Sequence, residues 1–258
     1  MKIVVLLKEV PDTYGDRKLS LETGLADREA SERVVDEIGE RALEVALSYA
    51  DAHEGTEVTV LSMAPEGATA SVRKGLAMGA ASATHVVDEG LIGADLGLTA
   101  EVLAAALKAE GYDLVIAGNQ STDGMAGMVP AMLAELLEVP VLANLSEVTI
   151  DDGRVSGVRA SDDATMQVQA ELPAVISITE ALPDARFPNF KGIMAAKKKP
   201  LEVKSLSDYG IDANDMTASR SIMLSVAERP PRAAGVKITD EGDAAQKLAA
   251  FLAENRLV

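Results

Sequence analysis

The densest set of ligand-binding residue types lies in one stretch, Gly118-Asn119-Gln120-Ser121-Thr122-Asp123-Gly124-Met125-Ala126-Gly127, which leads through Met128 and Val129 to Pro130. Its glycines let backbone approach a bound molecule closely, and its small polar side chains can hydrogen-bond a ribose or a base. A helix beginning just after it would present free amides to an anionic group such as phosphate. Two shorter segments have similar potential, Lys8-Glu9-Val10-Pro11-Asp12 and Ser62-Met63-Ala64. Spacing alone leaves a nucleotide loop and a plain, well-capped glycine loop open as equals. No G-x-G-x-x-G follows the first apolar run and no G-x-x-x-x-G-K-[ST] occurs. That argues against a standard dinucleotide dehydrogenase or a P-loop ATPase.

Other chemistries lack material. There is no cysteine, so disulfides, thiolate metal sites and cysteine nucleophiles are excluded. His53 and His85 have no ligand constellation beside them and are expected at the surface and at a strand end. Asp151-Asp152 and Asp162-Asp163 read as turn acids. The 24 basic residues against 41 acidic ones give a net charge of -17, a field that repels nucleic acid and anionic lipid. With no Trp and three Phe, a base-stacking platform is also unsupported. The opening apolar run, Ile3 to Leu7, is too short for a secretion signal, and no run approaches the ~18 residues of a membrane span. The expectation is a soluble cytoplasmic protein without nucleic-acid partners or membrane insertion.

The elements that must position these residues alternate in period. Lys2 to Leu7 is an unbroken β-branched run, as in a strand buried on both faces. Glu40 to Ala50 carries Leu43, Ala46, Leu47 and Ala50 on one helical stripe. Glu57 to Leu61 reads as a strand, Pro65 suits a helix start, and that helix stops near Gly79. Thr84 to Val87 is a third strand, Leu98 to Ala109 a helix, Asp113 to Ala117 a fourth strand, and Ala131 to Glu138 a helix ended by Pro140. Such alternation predicts right-handed crossovers and a parallel sheet covered by helices. In such a sheet the three candidate segments share the carboxyl-end edge. After Pro140 the pattern turns β-rich: Val141 to Ile150, Arg154 to Ala160, Thr165 to Glu171 and Ala174 to Thr179, with Asp151-Asp152-Gly153 as the first turn. From Glu180 regular structure thins, Pro183, Pro188, Pro200, Pro230 and Pro231 punctuate the chain, and Glu241 to Asn255 reads as an amphipathic helix. A long arm with so little core of its own is expected to lie on something else.

Five stretches in order carry a family likeness: KIVVLLKEVPD at the start, GLAMGA from Gly75 to Ala80, GNQSTDG from Gly118 to Gly124, Arg186 to Pro200 (RFPNFKGIMAAKKKP), and Pro230 to Lys237. Over essentially its full length the chain resembles the β subunits of electron transfer flavoproteins. The resemblance implies a Rossmann-like, adenine nucleotide alpha hydrolase-like α/β fold: a three-layer parallel-sheet domain with added β-strands and a C-terminal arm. It divides the chain into a nucleotide-binding domain (1–182), a partner-docking loop and helix (183–200), and an arm packing on the α subunit (201–258). It implies a heterodimeric electron carrier rather than an enzyme, with FAD held mainly by the α subunit and a structural AMP in this one.

Residue by residue, the resemblance places Leu6 near the adenine through its backbone. Asp36, Glu37, Ile38 and Gly39 form the nucleotide wall, and Met63 sits at the end of the second strand. Gly118 and Asn119 through Pro130 wrap ribose and phosphate. The chain departs from many relatives in having Asp36-Glu37 in place of Asn-Pro, and its Gly124 to Pro130 loop lacks their Gln-Thr-Gly or Gln-Val-Gly. Phe190 falls at the anchor that docks into acyl-CoA or other dehydrogenases, with Arg186, Ile193 and Met194 beside it. The alternative for Phe187 and Phe190 is burial under the arm. Lys197 to Lys199 reads as a solvated helix end near a helix dipole. Electrons would pass on through a quinone oxidoreductase to the respiratory chain, as in fatty acid β-oxidation. The alternatives are a β subunit of an electron-bifurcating flavoprotein with a second FAD in the AMP position, and a stand-alone nucleotide-binding module or enzyme.

Overall fold

In the computed structural model, which describes all residues except Met216, Ala233 and Val236, the chain divides into two units, Met1–Leu224 and Ser225–Val258. Two of those three residues, Ala233 and Val236, belong to the Pro230 to Lys237 stretch, so that part of the motif lies outside the described residues.

The first unit opens with β1 (Lys2–Leu6), β2 (Glu9–Pro11) and β3 (Arg33–Val35), followed by α1 (Glu37–Ala52). Next come β4 (Glu57–Met63), α2 (Thr69–Met78), β5 (Ser82–Val86), α3 (Leu96–Glu110) and β6 (Leu114–Gly118). Then α4 (Val129–Leu137), β7 (Val141–Asp151), β8 (Arg154–Ala160), β9 (Thr165–Glu171), β10 (Ala174–Ile178), α5 (Phe190–Ala196) and β11 (Leu201–Lys204) complete it. Nine of these strands form one sheet in the order β11-β5-β4-β1-β6-β10-β7-β8-β9. Only the pairings of β8 are antiparallel in it. β2 and β3 form a separate antiparallel pair.

Alternation along β1 explains the three layers. Ile3 and Val5 face one side, against Leu43 and Leu47 of α1 and Val72 and Leu76 of α2. Val4 faces the other, against Val102 and Leu107 of α3 and Leu133 of α4. All of these are buried, and a strand covered on both faces has no polar position to spare. From β1 the chain builds outward through β4 and β5 on one side and through β6 and β10 on the other. That reversal marks the edge beyond the carboxyl ends of β1 and β6 as the crevice where ligands of such sheets bind.

The expected α/β, Rossmann-like three-layer architecture is present. The later strands differ from a simple β-rich addition. β10 inserts between β6 and β7, parallel to both, because its five residues are all buried and need a partner on each side. The β7–β8 hairpin turns at Asp152-Gly153, as its sequence predicts, with Gly153 at φ 79°. Residues 201–204, expected in the arm, pair with β5 as the sheet's edge strand instead. A four-residue strand with two exposed positions leaves too faint an alternation to read in advance. His85 lies one residue from the end of β5, fully buried, its Nε2 3.1 Å from the Ala64 carbonyl oxygen. Burial pushes its protonation below the usual imidazole range. His53 is exposed and stacks on Tyr49. In the second unit, α6 (Ala244–Glu254) is the single helix among the described residues, and none of its residues is buried.

Candidate functional site

The β6 end sets the geometry of the crevice. Gly118 closes the strand, and a Cβ there would collide with Ile38 at the start of α1, so only glycine lets helix and strand end approach this closely. The Asn119 amide donates to the Ile178 carbonyl of β10 (2.9 Å), which carries the loop off the sheet edge. The loop then folds on itself. Asn119 Oδ1 accepts from the Gln120 amide (2.9 Å), and the Met125 amide donates to the Ser121 carbonyl (3.0 Å). Met125 and Gly127 have φ of 51° and 66°, and Met125 and Met128 are exposed. Pro130 stands in the first turn of α4, whose N-terminus has no side-chain cap. The amides there are therefore open to an anionic group.

Charged groups converge on Thr122 and Asp123. Lys8, just past β1, donates to Asp123 Oδ1 (2.7 Å) and Ser121 Oγ (3.2 Å). Arg28 Nη2 lies 3.9 Å from Asp123 Oδ2. Arg17 donates to the Thr122 carbonyl, to Thr122 Oγ1 (3.0 Å) and to the Pro11 carbonyl (2.6 Å). Burial alone would raise the Asp123 carboxyl, but hydrogen bonds from Lys8 and Ser121, the Lys8 charge and the Gly124 amide hold it below the usual carboxylate range.

Asp36, at the N-cap position of α1, is buried. Its Oδ2 accepts from the Thr122 amide (2.8 Å) and Thr122 Oγ1 (3.3 Å), while the buried Oδ1 has no partner. Burial raises its carboxyl above the usual range, the Thr122 bonds only partly oppose this, and the Asp123 charge adds to it. Gly39 is buried against Leu7, and Ile38 and Leu6 are half-buried, whereas Glu37 points to solvent and pairs with Arg41 (2.9 Å). Met63 ends β4, half-buried. The fold thus gathers Leu6, Asp36, Ile38 and the 118–130 loop around one edge. Lys8, Arg17 and Arg28 join them, and nothing in their local sequence marks the two arginines, which arrive on the long irregular segment between β2 and β3.

A second surface forms around α5. The Asn189 side chain caps the helix by accepting from the Gly192 amide (2.8 Å). Phe190, Ile193 and Met194 share one face by their i, i+3, i+4 spacing and are exposed, as is Phe187 just before them. Neither phenylalanine is a core residue: Phe187 is 93% and Phe190 80% exposed. Lys191, Lys197 and Lys198 are exposed around this face. Arg186 turns inward, onto Glu44 and Asp51 of α1. Among the described residues no group of side chains is arranged to hold a metal ion, and no helix is long and apolar enough to cross a membrane.

Comparison with known proteins agrees with the sequence resemblance. The electron transfer flavoprotein domain family matches residues 23–209. The chain is 45% identical to the electron transfer flavoprotein subunit beta of Mycobacterium tuberculosis, with 99% of each chain covered. It is 33% identical to the Caffeyl-CoA reductase-Etf complex subunit CarD of Acetobacterium woodii, covering 93% of this chain and 92% of that one. The electron transfer flavoprotein subunit beta of Bacillus subtilis is 31% identical, with 83% of each chain covered.

Proposed function

The chain belongs to the electron transfer flavoprotein family as a β subunit, an electron-carrier subunit rather than an enzyme, and from that premise we propose that it binds AMP as a structural ligand at the β1/β6 crevice. As a β subunit it pairs with an α subunit, and the family is one of flavoproteins. In this reading the FAD that carries the electrons is held mainly by the α subunit, and this chain supplies scaffold, interface and a docking surface.

The observation that carries the reading is the 118–130 loop, placed at the switch point of the sheet and running into the uncapped N-terminus of α4. The residues fit an adenylate. The free amides at α4 suit a phosphate, Gly124 and Gly127 allow close backbone approach, and the unpartnered Asp36 Oδ1 is an acceptor for a hydroxyl or amino group. Lys8, Arg17 and Arg28 balance Asp36 and Asp123, so the crevice is not closed to an anion despite the charge of the whole chain. Bound AMP supplies no redox chemistry. It fills and fixes the edge on which the loop is built.

The exposed face of α5 supports docking to dehydrogenases, such as acyl-CoA dehydrogenases. Exposed apolar side chains on and just before a capped helix have the character of a binding hot spot. Passage of electrons to a quinone oxidoreductase completes the proposed route. The test of the nucleotide is direct. Chain expressed without its partner, purified and denatured, releases one equivalent of AMP and shows no flavin absorbance. Release of FAD would replace this reading with that of a second flavin in the same crevice, and release of nothing would remove the nucleotide altogether.

A further inference from the structure

We propose that Arg186 and Lys199 are positioning residues that hold α5 in a fixed orientation, so that its apolar face meets a dehydrogenase already ordered. The inference rests on the docking reading of α5. The helix has seven residues, and only Ala196 among them is buried. A helix that short is not stable on its own, so its order has to come from its attachments.

Those attachments bracket the helix at both ends. Before it, the Arg186 guanidinium forms a two-pronged pair with Glu44 of α1, Nε to Oε2 and Nη2 to Oε1, both 2.8 Å. The backbone amide of Arg186 donates to the same carboxylate (2.9 Å), and Nη1 lies 2.9 Å from Asp51 Oδ2. Hydrogen bonds to this planar fork fix direction as well as distance. They also hold the Glu44 carboxyl below the usual range against the upward push of its burial. After the helix, Lys199 Nζ donates to the carbonyls of Leu76 (2.9 Å), Gly79 (3.1 Å) and Ala80 (2.6 Å), the otherwise open C-terminal end of α2. Between the two, Gly192 lies flat on the Ala77 carbonyl, where a Cβ would collide, and Arg73 Nη1 donates to the Ala196 carbonyl (3.0 Å). Every one of these contacts is on the side facing α1 and α2. None uses Phe187, Phe190, Ile193 or Met194.

A surface ordered beforehand does not lose the entropy of ordering when the partner arrives. Removing a tether therefore weakens capture of the partner without touching the flavin. The test uses the complete heterodimer, reduced either by an acyl-CoA dehydrogenase with its acyl-CoA or by dithionite, which needs no docking. Arg186→Ala and Lys199→Met are expected to raise the apparent KM for the heterodimer roughly tenfold. kcat, flavin content and dithionite reduction stay unchanged, and amide exchange across residues 190–196 accelerates. Arg186→Lys restores part of the loss, keeping the charge without the fork. Phe190→Ala separates the two readings, because it raises KM without accelerating exchange. If Phe190→Ala raises KM while Arg186→Ala and Lys199→Met do not, the positioning role is overturned and docking stands. If Phe190→Ala leaves KM unchanged, docking is overturned and the positioning role with it.

Discussion

At the N-terminus of α1 the Asp36 carboxyl is buried and bonds Thr122 through one oxygen only. Its native proton affinity is raised, so the folded chain binds that proton more tightly than the unfolded chain does. Its own contribution to stability is therefore greatest below the ordinary carboxylate value and is lost as pH rises through the raised native one. Asp36→Asn keeps an oxygen for Thr122 and removes the charge. In thermal unfolding followed from about pH 4 to about pH 7, the variant should gain stability relative to the parent as pH rises. At the upper end the variant should be more stable by about 1 kcal/mol. An identical slope in both proteins would mean that the carboxyl is not desolvated in solution. The residue scale is also where the sequence was hardest to read. Asp36 is legible as a loop acid before a helix, but its burial is imposed by the 118–130 loop folding over it. His85 is the same case: its partner is a carbonyl from the end of the neighbouring strand, and no pattern around Thr84-His85-Val86 announces it.

Among the elements, α2 shows why a short motif can be specific. In GLAMGA, Gly75 faces Leu7 and Val60, where a Cβ would stand 2.8 Å and 3.1 Å from their side chains. Gly79 follows the helix at φ 152°, where a Cβ would stand 2.9 Å from the Leu47 side chain. The motif thus records how closely α2 lies on β1 and β4. Gly75→Val should lower stability by about 1–3 kcal/mol through overpacking, read as a lower denaturant midpoint at unchanged slope. An unaltered midpoint would show that Leu7 can swing aside at no cost. The first four parallel strands and their helices were legible because each is a long periodic run bounded by turn residues. β2, β3 and β11 were not, since three or four residues hold no period to count. The helix expected between 183 and 200 came from the family resemblance rather than from periodicity, because seven residues carry little pattern and the order of α5 comes from its contacts with α1 and α2.

For the whole molecule the contrast between the two units matters most. Met1–Leu224 has its core on both faces of the sheet, whereas in Ser225–Val258 the helix α6 buries no residue, with Leu248, Phe251 and Leu257 exposed. Apolar side chains at that spacing ask for a covering partner, and cover by the α subunit is the expectation that proteolysis tests. Limited proteolysis of the isolated chain should clip within 225–258 and leave a core ending near Leu224. In the heterodimer the same cuts should slow by at least about tenfold. Equal cutting rates in both would place the α subunit elsewhere.

The insertion of β10 between β6 and β7 also dictates a timetable. The β7–β9 meander joins the rest of the sheet through β10, so residues 141–171 leave the ribosome before the strand that links them to the sheet, residues 174–178, has been translated. Until then β6 presents an open edge, and a nascent chain halted in that interval exposes the centre of its own sheet.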